Sequence, residues 1–405
     1  MENYEMESMM VDGPISYSCW LYTNPEGRPT IIHNFGDIHH LRSGCSGKQE
    51  AKGFVSIEKL ISQTMFYDFE HPNLVVDFFF EAPRTDNYGL DYMVKGFYGF
   101  KTNNKPLLSQ GAGNRLDNKF RDCLSVGSEF LEKCRKNFPS GRIHAIDIRD
   151  ALGIDDNKNR LIVDMENKKS DNWQFFEILV KNQIFRVEDD NVRNELYELY
   201  DDIEALSSRE LYIQTYVSLM DIYLLGRLFR SYEPLPDQKP KTAFHNAPVQ
   251  NAVIYSGNTH KKNYDIFFRK IGAVELYSFK SPKIYTLSNM SKIIADNKPD
   301  RHQCVQIPVL LFDDTESCTL PIVEEFWNDK DIIFNAYKQF NEKYRNLSKN
   351  RLHRHYSIYR KEAMVQRQVH HYNGKFKIED IPNRKFPKKQ PQAKRQRIGG
   401  KEEEP

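Results

Sequence analysis

The sequence predicts an α/β protein: a mostly parallel sheet with flanking helices, a helical insertion and a helical C-terminal extension. Three observations carry that prediction. Apolar runs of strand length recur far apart in the chain, within Thr30–His40 (TIIHNFGDIHH), Leu74–Arg84 (LVVDFFFEAPR) and Ala252–His260 (AVIYSGNTH). Each is followed, directly or after a loop, by apolar residues at spacings of three and four, the alternation expected of βαβ units. Leu74–Phe80 is apolar almost throughout, as a central strand covered on both faces requires. The 39% hydrophobic and 13% aromatic fractions of 405 residues supply such a core, and with 28% charged residues they exclude a wholly disordered chain.

Taken in order, Tyr17–Tyr22 and Arg28–Phe35 flank TNPEG, whose Asn24, Pro25 and Gly27 are turn residues, so the chain opens with a β-hairpin. HLRSGCSGKQEAKG then reads as a polar loop. Val55, Ile57, Leu60, Ile61, Met65 and Phe66 predict a helix over Phe54–Phe69, the crossover to the strand that ends at Glu81. A Gly-, Asn- and Tyr-rich excursion follows from Thr85 to Asn114. Leu116, Phe120, Leu124, Leu131 and Cys134 predict one amphipathic helix over Arg115–Phe138, and RIHAIDI a strand over Arg142–Ile148. Val192–Leu206 and Arg209–Arg230 read as an inserted helical hairpin. Within it Asp221 interrupts an apolar run, and pairing with an Arg such as Arg227 is its simplest explanation. Asn251–Ser256 is the fourth parallel strand, Lys261–Gly272 a helix closed by Gly272, and Ala273–Phe279 the next strand. Gln303–Phe312 has strand character and Leu320–Tyr344 helical spacing. This gives an α/β domain over 1–290 with an insertion at about 186–234, an extension over 291–374 and a disordered basic/acidic tail over 375–405.

In an open parallel sheet, ligands bind outside the carboxyl ends of the strands. There the three site segments place Asp37 and His39, then Glu81, then His260, with His40 and Arg84 close by. Any one of these is more simply a solvated loop residue or cap; three together, each after an apolar run, point to a joint site. Asp147 and Arg149 end a further strand, where a pocket role competes with a surface ion pair. His353 and His355 form an HxH pair, but in a basic stretch that reads as a solvated face.

The motifs GDIH (Gly36–His39), FFFE (Phe78–Glu81) and GNTH (Gly257–His260) resemble, in order and spacing, the erythromycin-esterase/ChaN/TraB-type hydrolase superfamily. The resemblance spans about Ile31–Phe279. The chain's texture is also similar to uncharacterised proteins of large DNA viruses that share this pattern. The resemblance implies a hydrolase of ester or amide/peptide bonds whose site is Asp37, His39, Glu81 and His260, with His39 or Glu81 as base for an attacking water. Asp37 stands where the family motif has Glu, one methylene longer. Chemically, two imidazoles and two carboxylates can bind one divalent transition ion of the Mn or Zn type and lower the pKa of its water. Without metal, a His oriented by a carboxylate is a competent base, and Arg84 would stabilise an oxyanion. The alternative is a catalytically silent viral or host-interaction protein on the same fold.

A net charge of +2, from 58 basic and 56 acidic residues, excludes a global field for nucleic acid or anionic lipid. A local contact with nucleic acid or an import receptor is expected only at Lys388, Lys389, Lys394, Arg395 and Arg397. No apolar run is long enough for a bilayer helix, and MENYEMESMM is unlike a signal peptide, so an intracellular protein (cytoplasm, nucleus or virion) without membrane contact is expected. The six cysteines lack CxxC spacing and are expected to be free thiols.

Overall fold

The computed structural model describes residues 6–38, 45, 55–66, 74–83, 111–124, 128–147, 171–205, 211–232, 247–280, 303–311, 318–323 and 329–345. His39, His40, Arg84, Arg149, His353, His355 and the basic tail cluster lie outside the described residues. The protein is mixed α/β, with two sheets and eight helices among the described residues.

The strands are β1 (Met6–Asp12), β2 (Ser16–Thr23), β3 (Pro29–Asp37), β4 (Val55–Ser56), β5 (Val76–Pro83), β6 (Gly141–Asp147), β7 (Asn251–Gly257), β8 (Val274–Lys280), β9 (Cys304–Leu311) and β10 (Cys318–Thr319). The helices are α1 (Ile57–Phe66), α2 (Ala112–Leu124), α3 (Ser128–Asn137), α4 (Asp171–Phe185), α5 (Asp190–Ala205), α6 (Leu211–Phe229), α7 (Asn258–Lys270) and α8 (Lys330–Arg345). The six-stranded sheet has the order β6-β5-β7-β3-β2-β8. Its first four strands run parallel, β2 returns antiparallel to β3 through the predicted hairpin, and β8 pairs antiparallel with β2. The three segments that were expected to carry the site are therefore immediate neighbours, β5, β7 and β3, with their carboxyl ends on one edge.

Strand alternation sorts this sheet's side chains into two cores. Tyr17, Cys19, Ile31, Phe35, Phe78, Phe80, Val253 and Tyr255 face a layer that contains α1, α2, α8 and the small sheet, ordered β10-β9-β1-β4. Trp20, Ile32, Phe79, Ala252 and Ile254 face the layer of α4, α5, α6 and α7. Phe78 and Phe79 are adjacent in sequence and both fully buried, on opposite faces, which is why Leu74–Phe80 carries no polar alternation. Gly272, at φ 81°, closes α7 one residue beyond its C-cap, a left-handed position that a side chain would oppose.

Four features differ from the sequence expectations. Met6–Asp12, first read only as a Met-rich start, is β1 and pairs with β9 over its whole length. The single helix over Arg115–Phe138 is two, α2 and α3, joined by a Cys123–Cys134 disulfide. Helix α4 precedes the anticipated insertion. The region read as a helical extension contributes strands β9 and β10 as well as α8. The expectation of free thiols is also corrected: Cys45 is bonded to Cys304 as well, and Cys19 and Cys318 are buried outside these two disulfides. Spacing along the chain does not report proximity across it, and Cys45 and Cys304 are 259 positions apart. No helix among the described residues is long and apolar enough to cross a membrane.

Candidate functional site

Pairing of β5 with β7 ends at Phe80 and Tyr255, and β5 is irregular between Phe80 and Pro83. Such a break re-aims a side chain. The Glu81 carboxylate reaches across to the next strand end, where its Oε2 accepts the Gly257 N–H at 2.6 Å. Gly257 is the N-cap residue of α7 and supplies no side-chain cap, so Glu81 places negative charge at the positive end of that helix.

His260 lies in the first turn of α7, directly above Glu81. Its Nε2 is 3.6 Å from Glu81 Oε1, and its Nδ1 is 2.6 Å from Asp221 Oδ1 on α6. Asn263, one turn on and on the same face of α7, donates to the other Asp221 oxygen at 2.7 Å. Burial pushes the Asp221 carboxyl above its ordinary pKa, and the hydrogen bonds from His260 and Asn263 oppose that shift. The Asp221 carboxylate accepts from Nδ1–H, so whenever this imidazole is neutral its Nε2, on the Glu81 side, carries the lone pair. An imidazolium formed there would lie between two carboxylates.

Asp37 ends β3 in register with Gly257 but turns to the other face of the sheet. Its Oδ2 accepts the Tyr255 hydroxyl at 2.8 Å. Burial, reinforced by the Asp37 charge, holds that phenol well above its ordinary pKa. On this face Arg115 of α2 contacts Glu58 of α1 at 2.9 Å and Asp12 of β1 at 3.4 Å, tying three elements together at the same edge.

Of the residues predicted from sequence, Glu81 and His260 are thus brought together, Asp37 is next door on the opposite face, and His39 and Arg84 lie outside the described residues. Asp147 is buried at the end of β6. Asp221 is the residue whose role was misread. Arg227 does not pair with it but donates to His144 at 3.1 Å, and Asp221 instead orients His260. The signal was present, a carboxylate inside an apolar helical run, but its partner is on a different helix. Among the described residues, no three His, Cys, Asp or Glu side chains are arranged to hold a metal ion. Asp37 faces away from the Glu81–His260 pair, and one atom of each member of that pair is already engaged, by the Gly257 N–H and by Asp221.

The chain matches no protein-family model, no curated protein and no solved structure.

Proposed function

We propose that the chain is a hydrolase that activates water at the carboxyl edge of the large sheet. The observation that carries this reading is His260 held between two carboxylates, Asp221 at 2.6 Å and Glu81 at 3.6 Å, at adjoining parallel strand ends. In this scheme Glu81 Oε1 accepts a hydrogen bond from a water, and His260 Nε2 takes that water's other proton as its oxygen attacks the carbonyl carbon of an ester or amide. Asp221 keeps the imidazole in the required tautomer and stabilises the imidazolium, which then returns its proton to the leaving oxygen or nitrogen. Glu81 is itself positioned by the Gly257 N–H, so the base and the group that orients water share one strand-to-helix junction.

The test is a screen of the full chain against ester, amide and peptide panels, with and without chelator, beside His260→Ala. Turnover by the native chain that is lost in His260→Ala supports the proposal; equal turnover in both sinks the site assignment. Loss in chelator with recovery on adding a Mn- or Zn-type ion would assign a metal, and unchanged turnover would leave His260 as a metal-free base. The second reading, a catalytically silent interaction protein, draws on burial: the His260 and Glu81 side chains are only 8% and 6% exposed, so a substrate has a narrow approach.

A further inference from the structure

A second polar assembly lies nearer the amino ends of β5 and β6, on the face covered by α4–α7. Asp77, fully buried, accepts both arms of Arg142, from Nε at 2.6 Å and from Nη2 at 2.7 Å. It also accepts the Nε2–H of His144 at 2.7 Å. Burial alone would raise the Asp77 carboxyl, but His144 and Arg142 hold it below its ordinary value. Arg227, in the last turn of α6, donates through Nε to His144 Nδ1, fixing a neutral imidazole.

Tyr232 is the hub of the remaining charges. The guanidinium carbons of Arg142 and Arg230 stand 4.7 Å and 4.5 Å from its ring centroid, and its hydroxyl donates to the Arg227 carbonyl at 2.7 Å. A β-bridge between Val187 and Arg230, and the Ser231 N–H on the Arg186 carbonyl at 2.9 Å, bring the end of α4 alongside. The guanidiniums of Arg142, Arg227 and Arg230 thus gather about Tyr232 and the Asp77–His144 pair, the Arg186 charge is close enough to act on Arg230, and Arg142 already engages Asp77 through both oxygens. Arg227 and Arg230 form no ion pair with a described residue. Arg230 donates Nη1 to Gln183 at 2.7 Å, while its Nε is buried with no hydrogen-bond partner. Burial, and then the neighbouring Arg227 charge, press on the Arg230 guanidinium and lower its pKa. With no ion pair to a described residue, Arg227 and Arg230 form a positive surplus, of which the carbonyl end of α6 offsets roughly half a charge.

We propose that Arg186, Arg227 and Arg230 form a binding site for a phosphoryl-type oxyanion, with Tyr232 as its floor. Guanidinium forks match the oxygens of a phosphate in pairs, and a dianion offsets more of the surplus than a carboxylate would. Arg186 is exposed and Arg227 and Arg230 are half-buried, so a small anion has access. The site is separate from Glu81 and His260 and does not depend on their role.

Isothermal titration of the full chain at constant ionic strength, with inorganic phosphate, adenosine monophosphate and acetate, tests it. Phosphate is expected to bind saturably at one site per chain and to raise the melting temperature, with acetate inert. Arg230→Gln and Arg186→Gln are each expected to weaken phosphate about tenfold or more. Tighter binding of the nucleotide than of phosphate would assign a phosphate ester, and equal binding a free phosphate. No saturable binding of phosphate or the nucleotide, or undiminished affinity in Arg186→Gln, would overturn the site. Arg186 is exposed, so that variant remains decisive should Arg230→Gln fail to fold.

Discussion

In the proposed mechanism His260 acts through whichever nitrogen lacks the proton, and the Asp221 contact to Nδ1 selects Nε2 for that role. Asp221→Asn keeps the shape but can turn its amide donor towards Nδ1, favouring the wrong tautomer. A rate loss of about ten- to a hundredfold with an unchanged melting temperature is expected in whichever assay the substrate screen yields. Glu81→Gln should cost at least about a hundredfold, because a neutral amide neither draws water in nor stabilises the imidazolium. Wild-type rates in both variants would remove these roles. Two other histidines bear on stability. His33 accepts from the Tyr17 hydroxyl at 2.7 Å and donates to the Pro321 carbonyl at 2.6 Å; burial drives its pKa down to about 4. His144 is lowered to about 4 as well, by burial and then by the Arg227 charge, against the pull of Asp77. Both folded values lie below the ordinary 6.5, so the unfolded chain binds more protons between those limits. Stability is therefore complete above that window and is lost as pH falls through it, by up to about 3 kcal/mol for each histidine. Urea midpoints near neutrality and near the lower limit should reveal the slope, and a flat profile would contradict it.

Among the elements, the junction of β3 with α7 limits how the site can be altered. A Cβ on Gly36 would stand 2.7 Å from Ser16 Oγ and 3.0 Å from the Asn258 backbone at the start of α7. Gly36→Ala should cost about 1–3 kcal/mol by thermal melt. It should also lower turnover more than that loss explains, since the shifted helix carries Gly257 and His260 off Glu81. An active, equally stable Gly36→Ala would show that this close approach is not required. The elements legible in sequence were those with a clean period or a punctuated end: the β2–β3 hairpin with its TNPEG turn, β5, β7, and α7 closed by Gly272. Less legible was α4, where Val180 and Ile184 are buried but Ile178 and Phe185 are exposed, so no single apolar stripe marks it. In β1 the alternation of buried Met6, Ser8 and Met10 with half-buried Glu7 and Met9 is real, but one of the inward residues is polar. Glu81 and His260 could be read because both follow apolar runs at strand ends. Asp221 could be noticed but not partnered, because the contact between α6 and α7 is written in no local spacing.

Across the whole molecule, the Cys45–Cys304 bond links the segment after β3, in the large sheet, to the first residue of β9, in the small one. Cross-linking so distant a pair restricts the unfolded chain strongly, and Cys304→Ser is expected to lower stability by about 2–5 kcal/mol. The loss should appear as a lower denaturant midpoint of the oxidised variant than of the oxidised native chain; equal midpoints would show that the bond adds nothing. The same bond makes a covalent ring of everything from position 45 to position 304, enclosing β5, β6, β7 and the helices that carry Asp221 and His260. A protease that nicks this ring once opens it without releasing a piece: the two products migrate as one species on a gel until thiol is added, and the folded body can outlive the cut.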